Sequence, residues 1–176
     1  LAGSDNINGG QLNDELLGGD SNDNLYGNAG DDVLRGGNGD DFIYPGSGID
    51  LVDGGIGADR VLYSASASGV AFSLLNGGTA GDALGDTYVS VEWAAGSAFN
   101  DIIEGDNFAN YLFGDNGSDE LIGLDGNDTL QGGNGADVLR GGAGNDTMIA
   151  DRTDNAADTF YGDAGNDYIS VGYLDS

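Results

Sequence analysis

The sequence predicts an all-β fold, a right-handed parallel β-roll whose two repeat blocks are joined by a non-repeat β segment. Three observations carry that prediction. A nine-residue pattern recurs along most of the chain, and one large apolar residue returns at the same place in every copy. The 176 residues also include 35 glycines against a single proline, Pro45, a density that turns the chain constantly and disfavours helix. Charge constrains the reading further: 31 acidic residues face only 4 basic ones, Arg35, Arg60, Arg140 and Arg152, for a formal net charge of −27. These arginines are expected to be solvated, and a surface this acidic repels nucleic acid and anionic membranes, so neither is an expected partner. Low hydrophobicity with such a charge leaves a chain unfolded unless something opposes its conformational entropy of about 1–2 kcal/mol per residue.

Taken in order, the first block spans 1–62. It opens with two weaker copies, GSDNIN from Gly3 and GGQLNDELL from Gly9, and continues without a gap as GGDSNDNLY, GNAGDDVLR, GGNGDDFIY, PGSGIDLVD and GGIGADRVL (18–62). Segment 63–95 abandons the period. Val70, Phe72 and Leu74 alternate with Ala71 and Ser73, and Val89, Val91 and Trp93 alternate with Ser90 and Glu92, so both stretches read as strands. Asn76, Gly77 and Gly78 through Gly85 and Asp86 read as the loop that pairs them. This spacer is expected either to continue the stack in wider coils or to bridge two rolls. The second block, 96–176, runs GSAFNDIIE, GDNFANYLF, GDNGSDELI, GLDGNDTLQ, GGNGADVLR and GGAGNDTMI (96–149). It then passes through a copy three residues too long, 150–161, with an insertion near 150–158, and resumes as GDAGNDYIS (162–170).

Two places in the repeat decide its chemistry. The sixth is Asp5, Asp14, Asp23, Asp32, Asp41, Asp50, Asp59, Asp101, Asn110, Asp119, Asp128, Asp137, Asp146, Asp158 and Asp167. The eighth, Ile7, Leu16, Leu25, Leu34, Ile43, Val52, Val61, Ile103, Leu112, Leu121, Leu130, Leu139, Met148, Phe160 and Ile169, is apolar without exception. Glycines at positions one, two and four are expected to permit positive φ, so that six residues wrap a turn and the last three extend as a strand with the eighth facing inward. Two nonapeptides then make one coil, and each Asp stacks on the Asp eighteen residues away, with parallel strands roughly 4.8 Å apart. Carboxylates that close repel one another strongly without a cation between them. The chain has no cysteine and no histidine, so thiolate and imidazole sites are excluded. Carboxylates and carbonyls remain, which suit Ca²⁺ and its six to eight oxygen ligands, and the spacing counts roughly eight to eleven such ions.

The motif GGxGxDxUx, running through both blocks, resembles the repeats-in-toxin (RTX), or hemolysin-type calcium-binding, family. The resemblance implies a calcium-dependent β-roll solenoid with several bound Ca²⁺, folding on calcium after export, and a secreted, extracellular product of a Gram-negative type I secretion apparatus. It carries the metal-ligand role to Asp5, Asp14, Asp23, Asp32, Asp41, Asp50, Asp59, Asp101, Asp119, Asp128, Asp137, Asp146, Asp158 and Asp167. Asn110 departs from the motif, and Leu12, Ser21, Phe99, Phe108 and Ala156 replace the fourth-position glycine. The Asn110/Asp128 site is therefore expected to be weak or empty, and Asp137/Asp158 distorted by the insertion. The C-terminal secretion signal of the family is not recognisable after Ser170, and the chain is expected to be part of a longer parent.

No catalytic residues are expected. Asp82 with Asp86, or Glu92 beside Trp93, could suggest paired carboxylates for glycoside chemistry, but neighbouring acids abound in so acidic a chain. Ser64, Ser66 and Ser68 have no histidine or lysine base. Trp93, Tyr88 and Tyr63 read more readily as strand packing than as a sugar-stacking patch. Asp31, Asp40, Asp115, Asp125 and Asp163 read as surface charge or carbonyl donors rather than primary ligands. The functional expectation is a metal-binding folding appendage of a larger secreted protein, and the alternative is an adhesive module binding extracellular polysaccharide. No apolar stretch is long enough to span a membrane as a helix.

Overall fold

The computed structural model describes residues 2–150 and 156–171. They form an all-β parallel solenoid of about 9 turns, as the repeat requires. Arg152, part of the 150–158 insertion and the residues beyond 171 lie outside the described residues.

Each regular repeat contributes one strand of six residues, for example Asn24–Ala29, Val33–Asn38, Phe42–Ser47 and Leu51–Ile56. The three-residue strand expected from positions seven to nine thus runs on through positions one to three of the next repeat. Burial alternates along it, with positions eight and one inside and their neighbours partly exposed. Positive φ occurs at position two, as at Asn28 (73°) and Gly37 (114°), and at position four, as at Gly39 (132°). First-position glycines are needed for a different reason than the expected one. They face the interior, and a Cβ on Gly18 would lie 2.5 Å from both Asp23 Oδ2 and the Gly36 carbonyl oxygen.

Alternate repeats fall on opposite faces of the stack. Leu25 pairs in register with Ile43 on one face and Leu34 with Val52 on the other, which fixes two repeats per coil. The first face is a single nine-stranded sheet crossing both blocks, whereas the second is divided into a four-stranded and a six-stranded sheet. Between them Leu25, Leu34, Ile43, Val52, Val61, Ile103, Leu112, Leu121, Leu130, Leu139 and Met148 are completely buried. Each such side chain contributes about 1.5–3 kcal/mol of burial, in a core only one residue deep per repeat.

The segment between the blocks is built of strands, but its two alternating stretches do not pair with each other as the sequence suggested. Ala71–Ser73 pairs parallel with Ile102–Glu104 and antiparallel with Gly77–Ala80. Thr87–Val89 instead continues the sheet of Leu51–Ile56, and Trp93–Ala95 bridges Arg60–Leu62 to Tyr111–Asn116. The chain thus lays down the first strand of the later sheet before returning to finish the earlier one. The gap that this crossing leaves in the second face is filled by Tyr63, Phe72 and Tyr88, whose rings pack at 5.1 and 5.4 Å.

Candidate metal centre

The sixth-position residues stand in two columns, one on each edge of the roll. In one, the Asp5 backbone N–H donates to Asp23 Oδ1 (2.7 Å), Asp23 to Asp41 (2.7 Å) and Asp41 to Asp59 (2.8 Å). After the joint the same column resumes with Asn110 donating to Asp128 (2.8 Å), Asp128 to Asp146 (2.9 Å) and Asp146 to Asp167 (3.1 Å). The other runs from Asp14 to Asp32 and from Asp32 to Asp50, both 2.8 Å. It resumes from Asp101 to Asp119 (2.8 Å), Asp119 to Asp137 (2.9 Å) and Asp137 to Asp158 (3.0 Å). All fourteen aspartates expected to bind metal therefore occupy equivalent rungs. The columns continue past the insertion, since Asp137–Asp158 and Asp146–Asp167 keep the same bond at a spacing of 21.

From Asp23 and Asp32 upward, one carboxylate oxygen of a rung is thereby committed to backbone. The Oδ2 atoms of Asp5, Asp23, Asp32, Asp41, Asp50, Asp59, Asp119, Asp128 and Asp146 are buried and accept no hydrogen bond. An ionised carboxylate buried with an unsatisfied oxygen costs several kcal/mol. The same burial raises the carboxyl groups. Burial first, and then neighbouring aspartates, push Asp50, Asp59 and Asp119 up to about 7, with Asp128 at about 6 and Asp41 and Asp146 also raised. Among the described residues no three acidic side chains converge as a cluster. Carboxylates of successive coils and turn carbonyls would be the oxygens open to an ion on these columns, the donor set a hard divalent cation prefers.

The RTX calcium-binding nonapeptide repeat matches residues 17–52, 36–65, 95–130, 122–156 and 152–172. This chain belongs to the RTX repeat family. Its repeats are calcium-binding, their number implies several Ca²⁺, and the RTX β-roll is a structural calcium-binding fold. RTX repeats are typical of secreted bacterial proteins, and no helix among the described residues is long and apolar enough to cross a membrane. No curated protein matches the chain.

Two RTX turns differ from the rest. Where Phe99 and Phe108 replace the fourth glycine, neither position two nor position four takes positive φ, and the turn closes on its own sixth residue. Ser97 donates its N–H to Asp101 Oδ2 (2.6 Å) and its hydroxyl to Asp101 Oδ1 (2.8 Å). Asp106 N–H likewise donates to Asn110 Oδ1 (2.8 Å). Ser21, by contrast, adopts the glycine-like conformation with φ 82°.

Sequence periodicity missed three features. Asp86 and Glu92 occupy rungs outside the matched repeats: Asp50 N–H donates to Asp86 Oδ1 (2.8 Å) and Asp59 N–H to Glu92 Oε2 (2.9 Å), at spacings of 36 and 33 rather than eighteen. Asp86 Oδ2 accepts the Tyr63 hydroxyl at 2.5 Å, and that hydroxyl also lies 2.6 Å from the Tyr88 hydroxyl. The third feature is an outer column at position five. There Asn13 accepts from Asp31 N–H, Asn22 from Asp40, Asp31 from Ile49, Asn100 from Ser118 and Asn127 from Asn145. The frequent Asn or Asp at that position was a readable signal. Asp31 and Asp40 are exposed, as expected of surface charge, and their carboxylates also accept the Ile49 and Ala58 N–H groups.

The aromatic residues separate as well. Tyr63 is buried and Tyr88 packs beneath it, whereas Trp93 lies on the outer face, stacked on Tyr111 at 4.2 Å. Arg60 is not simply solvated: its guanidinium sits 4.5 Å over Phe42 and 4.3 Å over Trp93. Arg140 covers Tyr161 at 4.2 Å and lies 3.4 Å from Glu120.

Proposed function

We propose that this chain is the calcium-folded structural appendage of a larger secreted protein, exported unfolded and ordered outside the cell. The carrying observation is the stacked set of buried Oδ2 atoms without partners. Asp5, Asp14, Asp23, Asp32, Asp41, Asp50, Asp59, Asp101, Asp119, Asp128, Asp137, Asp146, Asp158 and Asp167 would hold the ions. Bound Ca²⁺ would supply the positive charge these carboxylates lack. Because the two oxygens of neighbouring rungs meet only in the coiled chain, binding free energy adds directly to folding. Sites of extracellular type bind at about 10⁻⁴–10⁻³ M, so cytosolic calcium would leave the chain unfolded and threadable. A calcium titration followed by circular dichroism and X-ray scattering tests this. A cooperative rise of β signal with compaction is expected, and a compact β fold already present after exhaustive removal of metal would refute it.

One observation favours a second reading, a polysaccharide-binding module. Arg60, Leu62, Trp93, Ala95, Phe113 and Asp115 line an open groove of about 400 Å³ on the outer face, with an aromatic floor of the kind sugars stack upon. Affinity electrophoresis in neutral and acidic polysaccharides, with wild type and Trp93→Ala, separates the two: retardation of wild type alone supports the module.

A further inference from the structure

We propose that Asp59 and Glu92 form one further divalent-cation site, outside the nonapeptide motif, that carries the metal column across the joint. The proposal rests on the reading of the columns as calcium sites. It starts from a break in periodicity: the rung after Asp59 should come eighteen residues on, at Gly77, and that stretch has left the repeat. Glu92 fills the vacancy from 33 residues away, its Oε2 accepting the Asp59 N–H at 2.9 Å just as aspartate Oδ1 atoms do on the regular rungs.

A second, independent observation points to a cation here. Asp59 is 1 % exposed, and its Oδ2 has no partner. The neighbouring arginine does not supply the charge, because Arg60 turns its guanidinium outward between Phe42 and Trp93. The other column shows what an alternative solution looks like. There Asp86 takes the equivalent rung above Asp50, and the Tyr63 hydroxyl occupies its second oxygen. Among the described residues no hydroxyl does this for Glu92, the counterpart of Asp86. Beyond Glu92 the next rung is Asn110, already closed on its own turn by Asp106 N–H, so the site lies between Asp59 and Glu92.

Trp93, the only tryptophan of the chain, follows Glu92 directly, and its own N–H donates to the Asp59 carbonyl at 3.0 Å. It is therefore a built-in antenna for a lanthanide at this rung. The experiment uses Tb³⁺ as the probe, excited through tryptophan, together with calcium stoichiometry by calorimetry. Wild type should show sensitised emission that Ca²⁺ displaces, and its absence overturns the proposal. Glu92→Gln keeps an oxygen for the Asp59 N–H but loses the charge. It should retain the β signal, lose at least two-thirds of the emission and bind one calcium fewer. Wild-type emission and stoichiometry in Glu92→Gln also overturn the site. Asp146→Asn, far along the column, should lower stoichiometry without touching the emission. If only Glu92→Gln is silent, this site alone fails; if both variants bind the wild-type number of ions, the column reading fails with it.

Discussion

The rung at Asp41 and the rung at Asp86 present the same problem and solve it differently. Both bury a carboxylate in the edge of the roll, and both commit one oxygen to the backbone N–H of the coil below. At Asp41 the second oxygen is left without a protein partner, whereas at Asp86 it accepts the hydroxyl of Tyr63, itself buried and backed by Tyr88. The repeat thus leaves a place for a cation, and the joint closes the place with the protein's own donor. Hydrogen bonding from tyrosine lowers the carboxyl of Asp86 against the burial that raises it, with a net value of about 6, while Asp50 immediately below stands at about 7. On the Asp86 column the joint therefore depends less on metal than the regular coils do.

That contrast can be broken in several ways. The largest effect should come from metal removal: the regular coils should lose their β signal cooperatively, since ten or so one-residue layers of core cannot offset the chain entropy alone. Retention of the full far-ultraviolet spectrum in decalcified protein would erase the distinction between the two regions. Next in size is Asp41→Asn, which alters the rungs above and below it. The calcium midpoint of folding should rise about tenfold, about 1.4 kcal/mol, with a smaller change once calcium is saturating. Tyr63→Phe should instead act independently of calcium. Removing a donor from buried Asp86 costs about 1–3 kcal/mol of stability, and thermal melts should register that loss equally at limiting and saturating calcium.

Proton concentration sharpens the same comparison. In the metal-free protein Asp50, Asp59 and Asp119 have folded values near 7, above the ordinary carboxyl value of 3.8. A carboxyl raised on folding favours the folded state below its unfolded value, and that advantage is lost as pH rises through the folded value. Between about pH 4 and 7 the metal-free roll should therefore gain β structure on acidification, while calcium affinity falls over the same range as protons compete for the rungs. Circular dichroism of decalcified protein across this window reads the first trend and calorimetry the second. The smallest effect belongs to Asp82→Asn, off both columns, which should leave melting within about 0.5 kcal/mol of wild type.

Period and composition were enough to set the class of fold, the two-repeat coil, the apolar column and the fourteen aspartate rungs. Each of these follows from a local rule repeated at constant spacing: an inward position, a turn, and a neighbour eighteen residues away. The same rule explains why the outer Asn and Asp column at position five was readable and why the first-position glycines were misjudged. A glycine needed for φ and a glycine needed for space look alike in sequence, and only the approach of Asp23 and Gly36 to Gly18 tells them apart. At the joint no spacing rule operates. That Thr87–Val89 returns to finish the earlier sheet after Ala71–Ser73 has begun the later one depends on strand edges separated by tens of residues. The pairing of Asp50 with Asp86 and of Asp59 with Glu92 follows from that crossing alone. The sequence by itself determined a ladder that asks for cations. Tertiary structure decided which rungs keep that demand and which are answered by a tyrosine, because a hydroxyl can reach a buried carboxylate only where the chain leaves its period.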